Sequence, residues 1–318
     1  MSSEDTISGL PLDVSARIPQ EIVDRIIAHL HDQPRALKNC RLVSSNWNAA
    51  SSPHLFYKVE FNSAWTPDGY LDARNHNDID REYSESLRPP IDFSAITPYI
   101  RDFTIYRRPT DKSRIDDLLE AVHANQQSLP VLDVLSSLPN LQSLTIINSA
   151  CIKHGDLFIA ALKKASKNLT SLKLDDLALV SFYGLVQIAE ACPALRSLVV
   201  ETMWWFQTPY GDGAAATLPA SLREVTLAGT ILPMHLHFWI DWLNEHAVAC
   251  APPQLASVVF NCAGTVARRP EMRQFLEIYG ASLREVYISS SSLVTPDLDD
   301  FVDKCKFSAM KSYHNRHL

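Results

Sequence analysis

The sequence has no stretch of about 18 apolar residues that could cross a bilayer. Its first residues, Met-Ser-Ser-Glu-Asp-Thr, show no basic region followed by an apolar run, so no secretory signal peptide is expected. A surplus of positive charge is missing too. Lys and Arg total 29 against 36 Asp and Glu, a formal net charge of −7. That disfavours nucleic acid as the main partner, because phosphate contacts need a basic surface. Neither nucleic acid nor membrane is therefore expected among the partners. The six cysteines, Cys40, Cys151, Cys192, Cys250, Cys262 and Cys305, are widely spaced and form no C-x-x-C pair. Reduced thiols and a cytoplasmic or nuclear location are the expectation. Without secretion the sequon Asn168-Leu169-Thr170 carries no meaning.

Catalytic signatures are also lacking. There is no Gly-rich phosphate loop, no dinucleotide fingerprint, no nucleophile elbow and no zinc-protease helix. His235 and His237, with Asp241 and His246 nearby, invite a metal reading, but residues two apart do not share a helical face. Asp175-Asp176 is an acid pair on paper, and adjacent aspartates at a strand end are ordinarily just solvated. No metal, no cofactor and no catalytic residue is expected.

Apolar residues make up 46% and charged residues 20% of the 318, an ordinary balance for a globular protein with a large core or two modules. Residues 1–17 read as a flexible N-terminus. From Ile18 to Phe61 three short amphipathic helices fit. Pro19 suits the first turn of a helix and Glu21 suits its positive end. Ile22, Val23, Ile26, Ile27 and Leu30 then fall on one stripe. Pro34 opens a second helix with Leu37, Cys40 and Arg41. Trp47 anchors a third, and Leu55, Phe56 and Val59 close the unit. About 40 residues make a small core, and these helices carry more apolar side chains than they can hide in one another.

The ordered set Ile18-Pro19, Glu21-Ile22, Ile26-Ile27, Leu30, Leu37, Leu42-Val43, Trp47 and Leu55-Phe56 resembles the F-box, with Ile18 in place of the family's first Leu and Ser44 where Cys is common. The resemblance implies docking onto a Skp-type adaptor and, through it, a cullin. Ile18, Pro19, Glu21, Ile22, Ile26, Leu30, Leu42, Val43 and Trp47 are the residues it would place at the adaptor.

Residues 62–97 change in texture. They hold Pro67, Pro89 and Pro90 and a net charge of −4, and they read as an exposed acidic linker. From 98 to 318 a spacing L-x-x-L-x-L recurs. It begins weakly at Ile100, Phe103 and Ile105, and returns at Leu141, Leu169, Leu195, Leu222, Leu255 and Leu283. Between these strands lie helical apolar patterns, such as Phe158, Ala161, Leu162 and Ala165, or Met272, Phe275, Leu276 and Tyr279. Further ones fall at Ile115–Val122, Phe182–Ala189, Leu236–Leu243 and Leu298–Cys305. A strand and a helix every 26–33 residues resembles the leucine-rich repeat family in its longer form. The fold class expected is α/β: a small helical F-box followed by an irregular leucine-rich-repeat solenoid, strands inside and helices outside. The family's ninth position is commonly Asn or Cys. Here it is Ser149, Leu177, Met203, Thr230, Ala263 and Ser291, so the repeats are irregular. A β/α barrel or doubly wound sheet competes, but its strands should be apolar on both faces, and here polar residues interleave.

Alternation places one polar strand face toward water. On it the expected substrate-binding residues are Lys173, Asp175, Val199, Glu201, Glu224, Thr226, Asn261, Glu285 and Tyr287, with Trp204 beside them as an exposed aromatic. Acids exceed bases there, so a protein target basic at its contact is expected. F-box and repeats together imply a non-catalytic substrate receptor of a cullin–RING ubiquitin ligase. An adaptor-binding scaffold without ligase role is the alternative. The more distant one is an α/β enzyme using Asp175, Glu201 or Asn261 at strand ends.

Overall fold

The computed structural model describes residues 18–62, 72–74, 93–106, 130–147, 155–179, 182–205, 218–229, 239–244, 254–262, 269–290 and 312–317. The described residues open with three helices, α1 (Gln20–His29), α2 (Pro34–Cys40) and α3 (Ser45–Leu55). Each begins where its sequence allows. Pro19 precedes α1 with Glu21 in its first turn, and Pro34 is the first residue of α2, where a missing N–H costs nothing. Pro53 lies within α3 and removes a rung from its ladder. Just before it, the Ser51 and Ser52 hydroxyls donate to the Trp47 and Asn48 carbonyls, at 2.6 and 2.8 Å. α3 packs against both other helices.

Among the described residues ten strands follow: β1 (Lys58–Asn62), β2 (Asp72–Arg74), β3 (Asp102–Tyr106), β4 (Ser143–Ile147), β5 (Ser171–Leu179), β6 (Ser197–Trp205), β7 (Glu224–Gly229), β8 (Ser257–Cys262), β9 (Glu285–Ser290) and β10 (Ser312–His317). Helices α4 (Pro130–Ser136), α5 (Gly155–Ala165), α6 (Phe182–Glu190) and α7 (Arg269–Tyr279) lie between them, with helical residues also at 239–244. The strands form one sheet in the order β10-β9-β8-β7-β6-β5-β4-β3-β1-β2. Every pairing is parallel except β1 with β2.

This order separates the competing architectures. A doubly wound sheet reverses its strand order at a switch point, and a barrel has no ends. Here the order follows the chain from β3 to β10 without reversal, and the sheet ends at β2 and β10. The fold is α/β, a sequential parallel sheet with helices, compatible with a solenoid-like array. Burial agrees. In β4 the pattern alternates, with Leu144 and Ile146 buried and Ser143, Thr145 and Ile147 half-buried. In register, Phe103, Leu144, Leu172, Leu198, Val225, Val258 and Val286 make one buried row across the sheet. Helix residues such as Phe158, Leu162, Leu185, Phe275 and Leu276 join the same core. Aromatic edges fill its far end: Phe275 lies 5.7 Å from Phe260 and 4.9 Å from Tyr279, whose hydroxyl donates to the Leu243 carbonyl at 2.7 Å.

Two hydrogen-bond ladders hold successive units together. At each described strand start from β3 to β9, one carbonyl of the preceding unit accepts two consecutive N–H groups. The Arg101 carbonyl takes Gln142 and Ser143 at 2.8 and 2.9 Å, and the Arg196 carbonyl takes Arg223 and Glu224 at the same distances. The second ladder uses side chains. Asn140 Nδ2 donates to the Pro98 carbonyl at 2.9 Å, Asn168 Nδ2 to the Pro139 carbonyl at 3.3 Å, and Ser221 Oγ to the Pro193 carbonyl at 2.9 Å.

The array begins earlier than the sequence suggests. Residues 58–61 read as the end of the helical unit, with a linker after them. Instead β1 pairs in parallel with β3, and Val59 and Phe61 are buried in the large core. The Tyr57 carbonyl accepts the N–H groups of Arg101 and Asp102, both at 3.0 Å, as the first rung of the backbone ladder. Only Phe56 and Tyr57 separate α3 from the sheet. Within the expected linker, Asp72–Arg74 is β2, and residues 93–95 and 97–99 form two 3-10 turns.

Candidate functional site

Two surfaces carry the residues singled out from the sequence. The first is the helical unit. Its own core is Val23, Ile27, Leu37 and Leu55. The apolar stripe of α1 is split between this core and solvent. Val23 and Ile27 are fully buried, while Ile22 and Ile26 remain 44% and 39% exposed. Ile22 and Ile26 are one turn apart and so sit side by side on α1. Leu42, just after α2, is 85% exposed.

The nine expected adaptor residues therefore divide. Pro19, Glu21, Ile22, Ile26 and Leu42 are exposed, and Val43 is half-buried. Ile18, Leu30 and Trp47 are half-buried and pack against the small core, so they build the unit as much as they face outward. The indole Nε1 of Trp47 is buried, with no hydrogen-bond partner among the described residues. Sequence reading missed Arg41 as a brace. Its Nε donates to Asn48 Oδ1 at 2.7 Å and its guanidinium lies 4.9 Å above the Phe56 ring, tying the end of α2 to both ends of α3.

The second surface is the polar face of the sheet. Register sets Thr145, Lys173, Val199, Thr226, Val259 and Tyr287 in one row across six strands. It sets Asp175 beside Glu201 in the next row, and Glu224 and Glu285 on either side of Ser257 in the row before. Lys173, Asp175, Val199, Glu201, Thr226 and Tyr287 are half-buried, whereas Glu224 and Glu285 are exposed. Asn261 and Trp204 have their backbones in β8 and β6, but their side chains lie outside the described residues, as do His235, His237 and His246. Among the described residues no group of three or more His, Cys, Asp or Glu is placed to hold a metal, and no helix is long and apolar enough to cross a membrane.

Lys173 Nζ meets Glu201 Oε2 at 2.6 Å, across neighbouring strands. Asp175 has its carboxyl pushed above the ordinary aspartate range. Partial burial is the main cause and the Glu201 carboxylate adds to it, while Lys173 works the other way. Asp102 is likewise raised, chiefly by burial, with Lys58 opposing. Beside this cluster the backbone is strained. Asp176 and Thr202 have φ of 49° and 50°, side by side where the β5–β6 pairing is interrupted. An Asp tolerates this left-handed region, but a β-branched Thr does not do so readily. No sequence signal marks Thr202.

The chain matches no family model and no curated protein. The site must be read from its own geometry: an apolar helical patch at one end and a polar, net acidic sheet face along the array. Cys192, the one thiol in the array whose side chain is described, is buried, with its pKa pushed up to about 12, and is inert at neutral pH.

Proposed function

We propose that this chain is the substrate-recognition subunit of an SCF-type ubiquitin ligase, acting in the cytoplasm or nucleus. The helical unit is an F-box that docks a Skp-type adaptor. The array is a leucine-rich-repeat solenoid that holds a protein target. Ubiquitin transfer belongs to other subunits, and the chain acts by proximity, raising the target's effective concentration at the conjugating enzyme. The observation that carries this reading is the exposure of Ile22, Ile26 and Leu42 above a core already closed by Val23, Ile27, Leu37 and Leu55. A helical unit with its own core filled and large apolar side chains still in water has area to give to a partner.

The coupling of the two parts supports the same role. With two residues between α3 and β1, and Tyr57 bonded into the ladder, adaptor and target faces are held at a fixed separation. The test is a pull-down with a Skp-type adaptor and a cullin, using Ile22→Asp combined with Leu42→Asp. Both residues are exposed, so folding is spared, which Ile18→Asp would not guarantee. The wild type is expected to retain adaptor and cullin, and the double variant neither, at an unchanged melting temperature. Unchanged adaptor binding in the variant overturns the proposed docking face. Adaptor without cullin favours the scaffold reading.

A further inference from the structure

The polar sheet face has a feature that a merely solvated surface does not require. Its two described lysines are already engaged: Lys173 with Glu201 at 2.6 Å, and Lys58 with Glu60 at 3.8 Å. Farther along, Glu224 and Glu285 are exposed, and neither carboxylate has an ion-pair partner among the described residues. The arginines that precede them do not neutralise them. Arg223 Nη1 folds back onto the Ala220 and Leu222 carbonyls at 3.0 and 2.8 Å, and Arg284 makes no ion pair with either glutamate. Next to the two glutamates runs the half-buried row Val199, Thr226, Val259 and Tyr287, which offers mostly apolar atoms.

The spacing is fixed by the sheet. Glu224 and Glu285 flank Ser257 in register, two strand separations apart, or about 10 Å. A polyproline-II segment has three residues per turn and rises about 9 Å in that turn. Side chains three apart on such a segment match the two carboxylates. A segment laid across the strands would set its intervening apolar residue on the strip. We infer that this face binds an extended target segment bearing two basic side chains three residues apart, one on Glu224 and one on Glu285. The inference rests on the receptor reading above for its biological sense, but not for its measurement.

The probe is a fluorescein-labelled peptide, Ala-Pro-Arg-Pro-Val-Arg-Pro-Ala, followed by anisotropy with the full chain. The controls replace both arginines by alanine or by glutamate. The arginine peptide is expected to bind at least tenfold tighter than either control and to lose affinity steeply with salt. Glu224→Gln with Glu285→Gln is expected to remove most of that difference. Glu224→Lys with Glu285→Lys is expected to reverse it in favour of the glutamate peptide. Equal binding of the three peptides, or binding unchanged in the Gln double variant, overturns the inference. Adaptor pull-down on the same variants separates the two proposals. Peptide binding lost with adaptor binding kept supports this site. A wild type that binds peptide but no adaptor removes the ligase role and leaves the peptide site standing.

Discussion

The helical unit and the strand–helix array solve the same problem at different scales. The array stacks one apolar strand face against helices, and the buried row from Phe103 to Val286 runs through it without a break. Each unit closes its neighbour, and both hydrogen-bond ladders cross the joints. The helical unit has three short helices and a core of Val23, Ile27, Leu37 and Leu55. Leu37 of α2 and Leu55 of α3 meet Val23 and Ile27 of α1 in that core. Ile22 lies about 100° from Val23 around α1 and is left 44% exposed where Val23 is buried. The array is therefore closed on its apolar side, and the helical unit is left open on one of its own.

Matched truncations sharpen that contrast most. Phe275→Ala removes a ring wedged between Phe260 and Tyr279 in the array. The ring is fully buried between two other aromatic side chains, so a loss of about 3–5 kcal/mol is expected in urea unfolding. Ile27→Ala, equally buried, should fall near the low end of the ~2–5 kcal/mol range. Half-buried Ile18, Leu30 and Trp47 can settle into the gap it leaves. If Ile27→Ala proves as costly as Phe275→Ala, the small core is as rigid as the large one and the contrast fails.

A smaller effect tests the joints. Asn140→Ala deletes the 2.9 Å bond to the Pro98 carbonyl, one rung of the side-chain ladder. A loss of about 0.5–1 kcal/mol is expected, since the bond is exposed and water replaces part of it. Hydrogen exchange should quicken at residues 97–106 and 141–147, the two units it joins, and stay unchanged in α1. A uniform change along the chain would mean the joint is not local.

Much of this was legible in sequence, and the failures have physical causes. The strand rows were legible because apolar residues recur at fixed spacing with polar ones between them. β1 has that same spacing, at Phe56, Val59 and Phe61. It was obscured because Leu55-Phe56 also fits the end of the helical motif, and one residue pair served both elements. The side-chain ladder of Asn140, Asn168 and Ser221 was not anticipated. Its signal was a polar residue just before the first leucine of a unit, as in Pro139-Asn140-Leu141. Of the candidate adaptor residues, all but Glu21 were legible as apolar, but not which way they faced. Five apolar positions on one helix look alike until the width of the covering partner is known. The positive φ of Thr202 is matched by that of Asp176 on the neighbouring strand, at a gap in their pairing, a tertiary fact with no local trace.

The smallest expected effect has the most demanding sign. Asp175 has its carboxyl raised, mainly by burial and then by Glu201, with Lys173 opposing. A raised carboxyl means the folded chain holds that proton more tightly than the unfolded one. The associated stability is thus complete below the ordinary aspartate range and is lost as pH rises through the folded value. At neutral pH the Asp175 charge is a net burden. Asp175→Asn, which mimics the protonated form, should stabilise the protein at pH 7. The gain should stay under about 1 kcal/mol, because solvent screens a partly exposed group. It should shrink to nothing at about pH 3, where the wild-type carboxyl is itself protonated. Thermal melts of both chains from pH 3 to 7 read this directly. A variant less stable at pH 7 would mean that the Lys173 attraction outweighs burial and Glu201. The polar face would then be held together by its charges.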